Sequence, residues 1–273
     1  MSIVANNRFL QRVNPEIKRA LADSGSSLNH PEIQQLMRQM VDLGIADNLK
    51  LWVHSGLVKT RTSGSDLYVP KAYDISGEEN DAAQTTEANQ PELVGNGFYY
   101  NGDLDKKLIS NGWFSLLNIP SGTVMLWFRC TSIDLSLGSY LFILRSDATN
   151  DMVGLRVLDN ASGNVLRGFY GDSWVNLRPS PAIVPNTNLF YHVVILWESD
   201  DAYMYVDGAV VADASSASPS GSPTELTGTI GNATVIERHH EGYINDFRVF
   251  NKALSSTQIS AIYNQTKSKY GHT

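Results

Sequence analysis

Between Asn48 and Phe250 the chain repeats one pattern many times, a short run rich in β-branched and aromatic residues followed by a break of Gly, Asp, Asn or Ser. The runs are "LKLWVHS", "GTVMLWFRC", "YLFILRS", "MVGLRVLD", "LRGFYG", "FYHVVILWES", "AYMYVDGAVVADA", "GTIGNATVIE" and "GYINDFRVF". Side chains of this kind fit a pleated, half-buried surface, so each run predicts a strand. Many short antiparallel strands predict a mainly β fold, a sandwich or jelly roll. In "YMYVDGAVVA" the pair Asp207-Gly208 sits between alternating runs. Both central residues of a type I′ turn need positive φ, which Asp and Gly tolerate, so a hairpin is expected there. The stretch "ADASSASPSGSPTEL" reads as a surface connection.

The flanks carry a different rhythm. Asn14 before Pro15 starts a short helix to about Ala22, because Asn caps free amides and Pro loses no hydrogen bond at the first helical position. A second helix begins at Asn29 or His30 with Pro31, repeats apolar residues at Ile33, Leu36, Met37, Met40 and Leu43, and stops at Gly44. Its stripe has two destinations, the protein's own sheet or a partner, and both stay open. On the second, Ile33, Leu36, Met37 and Met40 are the docking residues of an N-terminal helical arm, residues 1–47. At the other end Ser255 with Gln258 makes a capping box, and Leu254, Ile259, Ile262 and Tyr263 give a short C-terminal helix a docking face. Residues 48–265 form the sandwich, and 266–273 read as a polar tail.

Composition narrows the function. The 273 residues are 42% apolar and 10% aromatic, enough for a substantial core. The net charge of −7 has no long run of one sign, which argues against nucleic acid and against an anionic membrane as partners. No run of 18 apolar residues and no signal-peptide h-region is present, so neither a membrane span nor secretion is expected. The single cysteine, Cys130, forms no internal disulfide and reads as a strand residue without a redox role.

Residues 72–108 are polar, with no apolar rhythm before Phe98. Asp74, Ser76, Gly77, Asn80 and Asp81 are turn formers whose side chains bond nearby backbone, and they need not be ligands. Calcium wants six to eight oxygens, and the acidic spacing matches no EF-hand, so no specific motif supports a calcium site and no metal ligands are assigned.

The ordered segments "AYDISGEENDAAQ", "NGFYYNGDLDKKL", "TVMLWFR", "FYHVVILWESDDAYMYVDGAVV", "IGN" and "GYINDFRVFNKALSSTQISAIYN" together resemble the laminin-G-like, concanavalin A-like lectin/glucanase domain over about residues 48–265. The resemblance implies a two-sheet antiparallel jelly-roll sandwich closed by a short C-terminal helix. It also implies that the long polar excursion separates the first strand from "FYYNGDLDKKL", and that His192 is a packed strand residue.

Catalysis by this fold would need paired carboxylates in a cleft, which laminarinase-type members set at alternate positions of one strand. No E-x-D-x-x-E run exists here. Glu198, Asp200 and Asp201 lie at a hairpin end, while Glu241 and Asp246 are five apart and so on opposite faces of an ideal strand. His239 and His240 also point to opposite faces, which opposes a shared metal. There is no G-x-S-x-G elbow and no phosphate loop. No catalytic residue is assigned. Sugar recognition needs an aromatic platform with polar groups at its rim. "GFYGDSWVNLRP" offers Tyr170, Asp172, Trp174, Asn176 and Arg178, which become the candidate carbohydrate-binding residues.

A lectin-like module without a secretory signal is expected as a virion surface protein of a tailed bacteriophage, made in the host cytoplasm. It would be a capsid decoration, fibre or tail module that attaches through its arm to other virion proteins and offers the sandwich to cell-surface glycans, as monomer or homo-oligomer. The alternatives are an extracellular bacterial carbohydrate-binding or matrix protein, and a polysaccharide-degrading enzyme of the same fold.

Overall fold

The computed structural model describes residues 15, 17–19, 22–23, 31–95, 97–102, 105–110, 120–132, 139–145, 151–160, 163–170, 175–214, 228–232 and 240–273. After helical residues 15, 17–19, 22 and 23 come helix α1 (Pro31–Asp42) and a 3-10 turn (Ala46–Asn48). The first strands are β1 (Leu49–Ser63), β2 (Asp66–Asp74), β3 (Ala82–Ala83), β4 (Glu92–Val94), β5 (Gly97–Asn101), β6 (Leu108–Ser110), β7 (Ser121–Cys130) and β8 (Ser139–Arg145). They are followed by β9 (Asp151–Asn160), β10 (Gly163–Tyr170), β11 (Val175–Leu177), β12 (Tyr191–Glu198), β13 (Asp201–Val206), β14 (Ala209–Ala214), β15 (Gly228–Ile230) and β16 (Glu241–Phe250). Helix α2 (Ser256–Thr266) and a 3-10 turn (Lys267–Tyr270) follow.

The strands pair antiparallel in one continuous ladder, β11-β10-β9-β8-β15-β6-β3-β2-β4-β5-β16-β7-β12-β13-β14, with β1 joined to both β16 and β2. The ladder folds over on itself as a sandwich. Val153, Leu155 and Val157 of β9 alternate inward and share one apolar cluster with Leu126 and Phe128 of β7 and with Val193 and Ile195 of β12. Tyr170 of β10 and Trp197 of β12 stack across this interior, their ring centroids 5.3 Å apart.

β7 and β12 are buried at nearly every position, not at alternate ones. The reason is that both faces are covered. Met125, Val194 and Leu196 turn away from the sandwich interior into a second cluster, where Leu36, Met37 and Met40 of α1 and Ile259 and Ile262 of α2 meet them. The apolar stripe of α1 is therefore core. Leu36 is 5%, Met37 2% and Met40 0% exposed, which corrects their reading as partner-docking residues, since a stripe with no free surface presents nothing to a partner. The side chain of Ile33 lies outside the described residues. Gln39 Nε2 donates to the Ala261 carbonyl (2.9 Å) and Gln258 Nε2 to the Leu43 carbonyl (3.0 Å), tying α1 to α2. Within residues 266–273, read as a polar tail, Thr266 and Tyr270 are buried. Tyr270 is 7% exposed and stacks on Trp127 at 4.3 Å, an apolar contact that the charged neighbours Lys267 and Lys269 conceal in the sequence.

The capping box forms as expected: Gln258 N–H donates to Ser255 Oγ (3.2 Å) and Ser255 N–H to Gln258 Oε1 (3.0 Å). Ser255→Ala should cost about 1 kcal/mol of stability, read as a shift in the urea midpoint at unchanged m-value. The Asp207-Gly208 turn has φ of 50° and 82°, the type I′ signature. Residues 215–226 of the Ser/Pro-rich connection lie outside the described residues.

The polar stretch after β2 is organised by two carboxylates, Asp74 buried and Asp81 half-buried. Asp74 Oδ1 accepts from the backbone N–H of Trp52 (2.8 Å) and Ser76 (2.9 Å), and Oδ2 from Ser76 Oγ (2.8 Å) and the Asn80 N–H (3.0 Å). Asp81 accepts from the Asp74 N–H (2.9 Å) and pairs with Lys71 (2.7 Å) and Arg19 (3.0 Å). These side chains hold their own loop against the first strand, which explains a polar run beside a core strand.

Candidate functional site

The residues expected to form a sugar platform fall on the β10–β11 hairpin, where Gly168 pairs with Leu177 and Phe169 with Asn176. Tyr170 has the same parity in β10 as Leu166, and both join the sandwich interior. At 1% exposure its ring is core, and burial pushes its hydroxyl pKa up. Tyr170 is thereby corrected from ligand platform to packing residue. Arg178 is exposed beyond the end of β11. Asp172, Trp174 and the side chain of Asn176 lie outside the described residues.

The carboxylates considered for hydrolysis have other places. Glu198 and Asp201 face each other across the last pair of the β12–β13 hairpin, both exposed. Asp246 sits at a bulge with φ of 51° and is 4% exposed, so the strand is not the ideal one assumed for its spacing from Glu241. It is bound by Arg248: Nε to Oδ1 at 2.8 Å and Nη2 to Oδ2 at 2.6 Å. Burial alone would raise its pKa, but the charge and hydrogen bonds of Arg248, with His54 and Lys269 beyond, hold it well below the usual carboxylate range. A carboxylate so fixed has no proton to give and no access to a substrate. His240 is buried, with Nδ1 3.3 Å from Ser139 Oγ, and His239 lies outside the described residues. Burial pushes the Cys130 thiol up to about 12, which makes it inert as a nucleophile. Among the described residues no group of three His, Cys, Asp or Glu gathers as metal ligands.

Among the described residues, two depressions lie on the helix-covered face, at opposite ends of α2. At its N-terminal end a groove of about 490 Å³ runs between β13 and residues 252–258. Tyr203 and Tyr205 form its floor because they alternate with Ala202, Met204 and Val206, which point into the sandwich. Both tyrosines are half-buried, and burial raises the pKa of Tyr205. Glu198, Lys252, Ser255 and Ser256 stand at the rim. At the C-terminal end a second pocket, about 290 Å³, opens where the β4–β5 hairpin, β7, β16 and the turn after α2 meet.

In this second pocket Arg129 of β7 lies beside Tyr243, its register partner on β16. The guanidinium carbon is 4.5 Å from the Tyr243 ring centroid and 5.0 Å from that of Phe190. None of Tyr203, Tyr205, Arg129, Tyr243 or Asn245 was singled out by the sequence. The parity of "AYMYV" would have shown two outward tyrosines, and Arg129 is the lone charge in β7.

A laminin-G-type family model described as the concanavalin A-like lectin/glucanases superfamily matches residues 102–260. The chain belongs to that superfamily. No curated protein matches it in sequence. Among solved structures, this concanavalin A-like chain is similar to Trypanosoma rangeli sialidase in complex with sialic acid, at 16% identity and a TM-score of 0.61. The match covers 82% of this chain but only 34% of that one, so the chain spans about a third of the sialidase. It is also similar to the binding domain of botulinum neurotoxin serotype D (20% identity, TM-score 0.55, 84% of this chain and 53% of that). A third similar structure is domain 4 of AbnA, an extracellular GH43 arabinanase from Geobacillus stearothermophilus, in complex with arabinotriose (12% identity, TM-score 0.54, 79% of this chain and 98% of that). At these identities the likeness is one of concanavalin A-like fold.

Proposed function

We propose that the chain is a non-catalytic glycan-binding domain whose sugar face is the groove between β13 and the start of α2. The observation that carries this reading is the pair Tyr203 and Tyr205, two rings on one face with Glu198, Lys252 and two serine hydroxyls around them. A sugar ring stacks its apolar face on such rings while its hydroxyls need directed polar partners. The superfamily supports the reading, and so does the likeness in fold to the arabinanase domain, whose structure is a complex with arabinotriose. The non-catalytic half rests on the carboxylates: Asp246 is locked to Arg248, and Glu198 and Asp201 lie open to water, where nothing enforces the enclosed acid that glycoside hydrolysis requires.

We also propose a virion location, with attachment through residues other than Leu36, Met37 and Met40, which belong to the core.

The test is calorimetric titration with oligosaccharides, arabinotriose among them, against the parent chain and the variants Tyr203→Ala and Tyr205→Ala. Each variant should lose about 1–3 kcal/mol of affinity, by analogy with base stacking on aromatic side chains, while remaining folded with a lowered melting temperature, since both rings also pack against the helix layer. A parent chain that binds no oligosaccharide on a broad array would remove the reading.

A further inference from the structure

The second pocket has features that a neutral-sugar groove does not need. Arg129 packs beside Tyr243 and Phe190, whose ring centroids are only 6.2 Å apart, so the two rings do not sandwich the guanidinium and part of it is covered by neither. Its Nε is buried with no hydrogen-bond partner, and no described carboxylate pairs with it, although the chain carries 28 acidic residues. Two residues beyond Tyr243 on the same face of β16, Asn245 is 4% exposed and lines the pocket with its Oδ1 unpartnered. A buried polar atom left without a partner costs free energy comparable to a lost hydrogen bond, and two in one cavity mark a site that a ligand completes.

Glycine at position 97 keeps that site open. A Cβ there would stand 2.6 Å from Asn245 Oδ1 and 3.1 Å from Tyr243 Cδ1, so any larger residue would press on the pocket wall. At the roof Lys269, whose Nζ lies 3.1 Å from His54 Nε2, adds a second positive charge, and Tyr270 adds an aromatic wall. The cavity, about 290 Å³, is at the small end of ligand sites, which suits one sugar ring and not a chain of them.

We propose that this pocket binds the carboxylate of an acidic pyranose, a uronic or sialic acid residue. The guanidinium of Arg129 donates to the carboxylate, for which its planar fork is the natural match. Asn245 Oδ1 accepts from a ring hydroxyl, and the aromatic walls cover the apolar face of the ring. The inference rests on the glycan-binding reading of the domain but not on the tyrosine groove, which lies at the other end of α2.

The experiment titrates the full chain with methyl glucuronoside, with the methyl glycoside of N-acetylneuraminic acid and with neutral methyl glucoside. The two acids separate the uronic from the sialic source. At least one acid should bind about ten- to a hundredfold more tightly than the glucoside, the range expected for a hydrogen bond to a charged group, and added salt should weaken it. Arg129→Gln should abolish that preference while the melting temperature holds. Asn245→Asp, which sets a negative charge against the carboxylate in nearly the same shape, should also abolish it and serves if Arg129→Gln does not fold. Tyr203→Ala should leave the preference intact. Equal binding of glucoside and acids, or acid binding indifferent to both pocket variants, would overturn the proposal. Neutral oligosaccharides binding at the tyrosines while no acid binds would overturn the pocket alone. Acids binding at Arg129 with an inert groove would uphold the pocket and remove the groove.

Discussion

Asp246→Asn is expected to destabilise the protein by about 3–5 kcal/mol, the usual cost of removing one partner from a buried ion pair. Asp246 accepts three hydrogen bonds, from Arg248 Nε (2.8 Å), Arg248 Nη2 (2.6 Å) and Trp52 Nε1 (2.7 Å). Arg248 is 0% exposed, so without the carboxylate its charge is left in the core with no route to water. Asn is the informative replacement because it tolerates the left-handed φ of 51° that the bulge imposes, so that loss of charge is separated from backbone strain. The pair also anchors the helix layer. Arg248 stacks on Trp52 at 4.5 Å, and its Nη1 lies 3.7 Å from Met40 Sδ on α1. Hydrogen exchange in α1 should therefore accelerate more than in β9, on the far layer. Urea unfolding gives the total, and a loss below about 1 kcal/mol would show that the pair is screened as surface pairs are. Removing both partners together, as Asp246→Asn with Arg248→Met, should cost less than either change alone, because no uncompensated charge is then buried.

The sandwich was legible because its signals are local. Alternation in β9, the Asp-Gly turn at 207–208 and the capping box at 255–258 each involve neighbours in sequence, and the ordered segments placed them in one family. What local pattern does not contain is the identity of the covering surface. The stripe of α1 is apolar whether it meets a partner or its own sheet, and only the two-sided burial of Met125 and Val194 decides in favour of the sheet. The same two-sidedness explains why "TVMLWF" and "VVILW" are continuous apolar runs, a clue that a helix layer had to exist. Tyr170 was misread for a related reason: an aromatic beside polar residues looks exposed until strand parity is fixed by the facing layer. The pocket at Arg129 was beyond local reading, since Gly97, Arg129, Phe190, Asn245 and Lys269 come from distant segments that meet only when β5, β16 and β7 pair.

Acid should unfold the protein in two stages, and histidine, not carboxylate, should open the first. His192 and His240 are each 1% exposed, and burial pushes both down to about 3 from an ordinary 6.5, helped at His192 by the charges of Arg248 and His272 against that of Asp246. The folded chain keeps them neutral while the unfolded chain protonates them below 6.5, so each loses about 1.4 kcal/mol of stability per pH unit as pH falls from 6.5 towards 3. Asp74 acts in the opposite sense. Burial raises it from 3.8 to about 6 against the hydrogen bonds it accepts, so the folded chain takes up its proton first and gains stability as pH falls between about 6 and 4. Among these three groups two losses against one gain leave a net slope of about 1.4 kcal/mol per pH unit over that interval, which Asp207, also raised by burial, makes shallower. Below about 4 the gain is complete, and Asp246, held charged by Arg248 after its unfolded counterpart has protonated, adds a further loss, so the slope steepens. His240→Phe isolates the first stage, because His240 stands apart from the Arg248 network and its Nε2 has no hydrogen-bond partner. Urea unfolding of parent and variant at pH 6, 5 and 4 should show the slope over that interval smaller in the variant by about 1.4 kcal/mol per pH unit. Parallel curves would mean that His240 is protonated in the folded chain as readily as in the unfolded one, and burial would then not govern its titration.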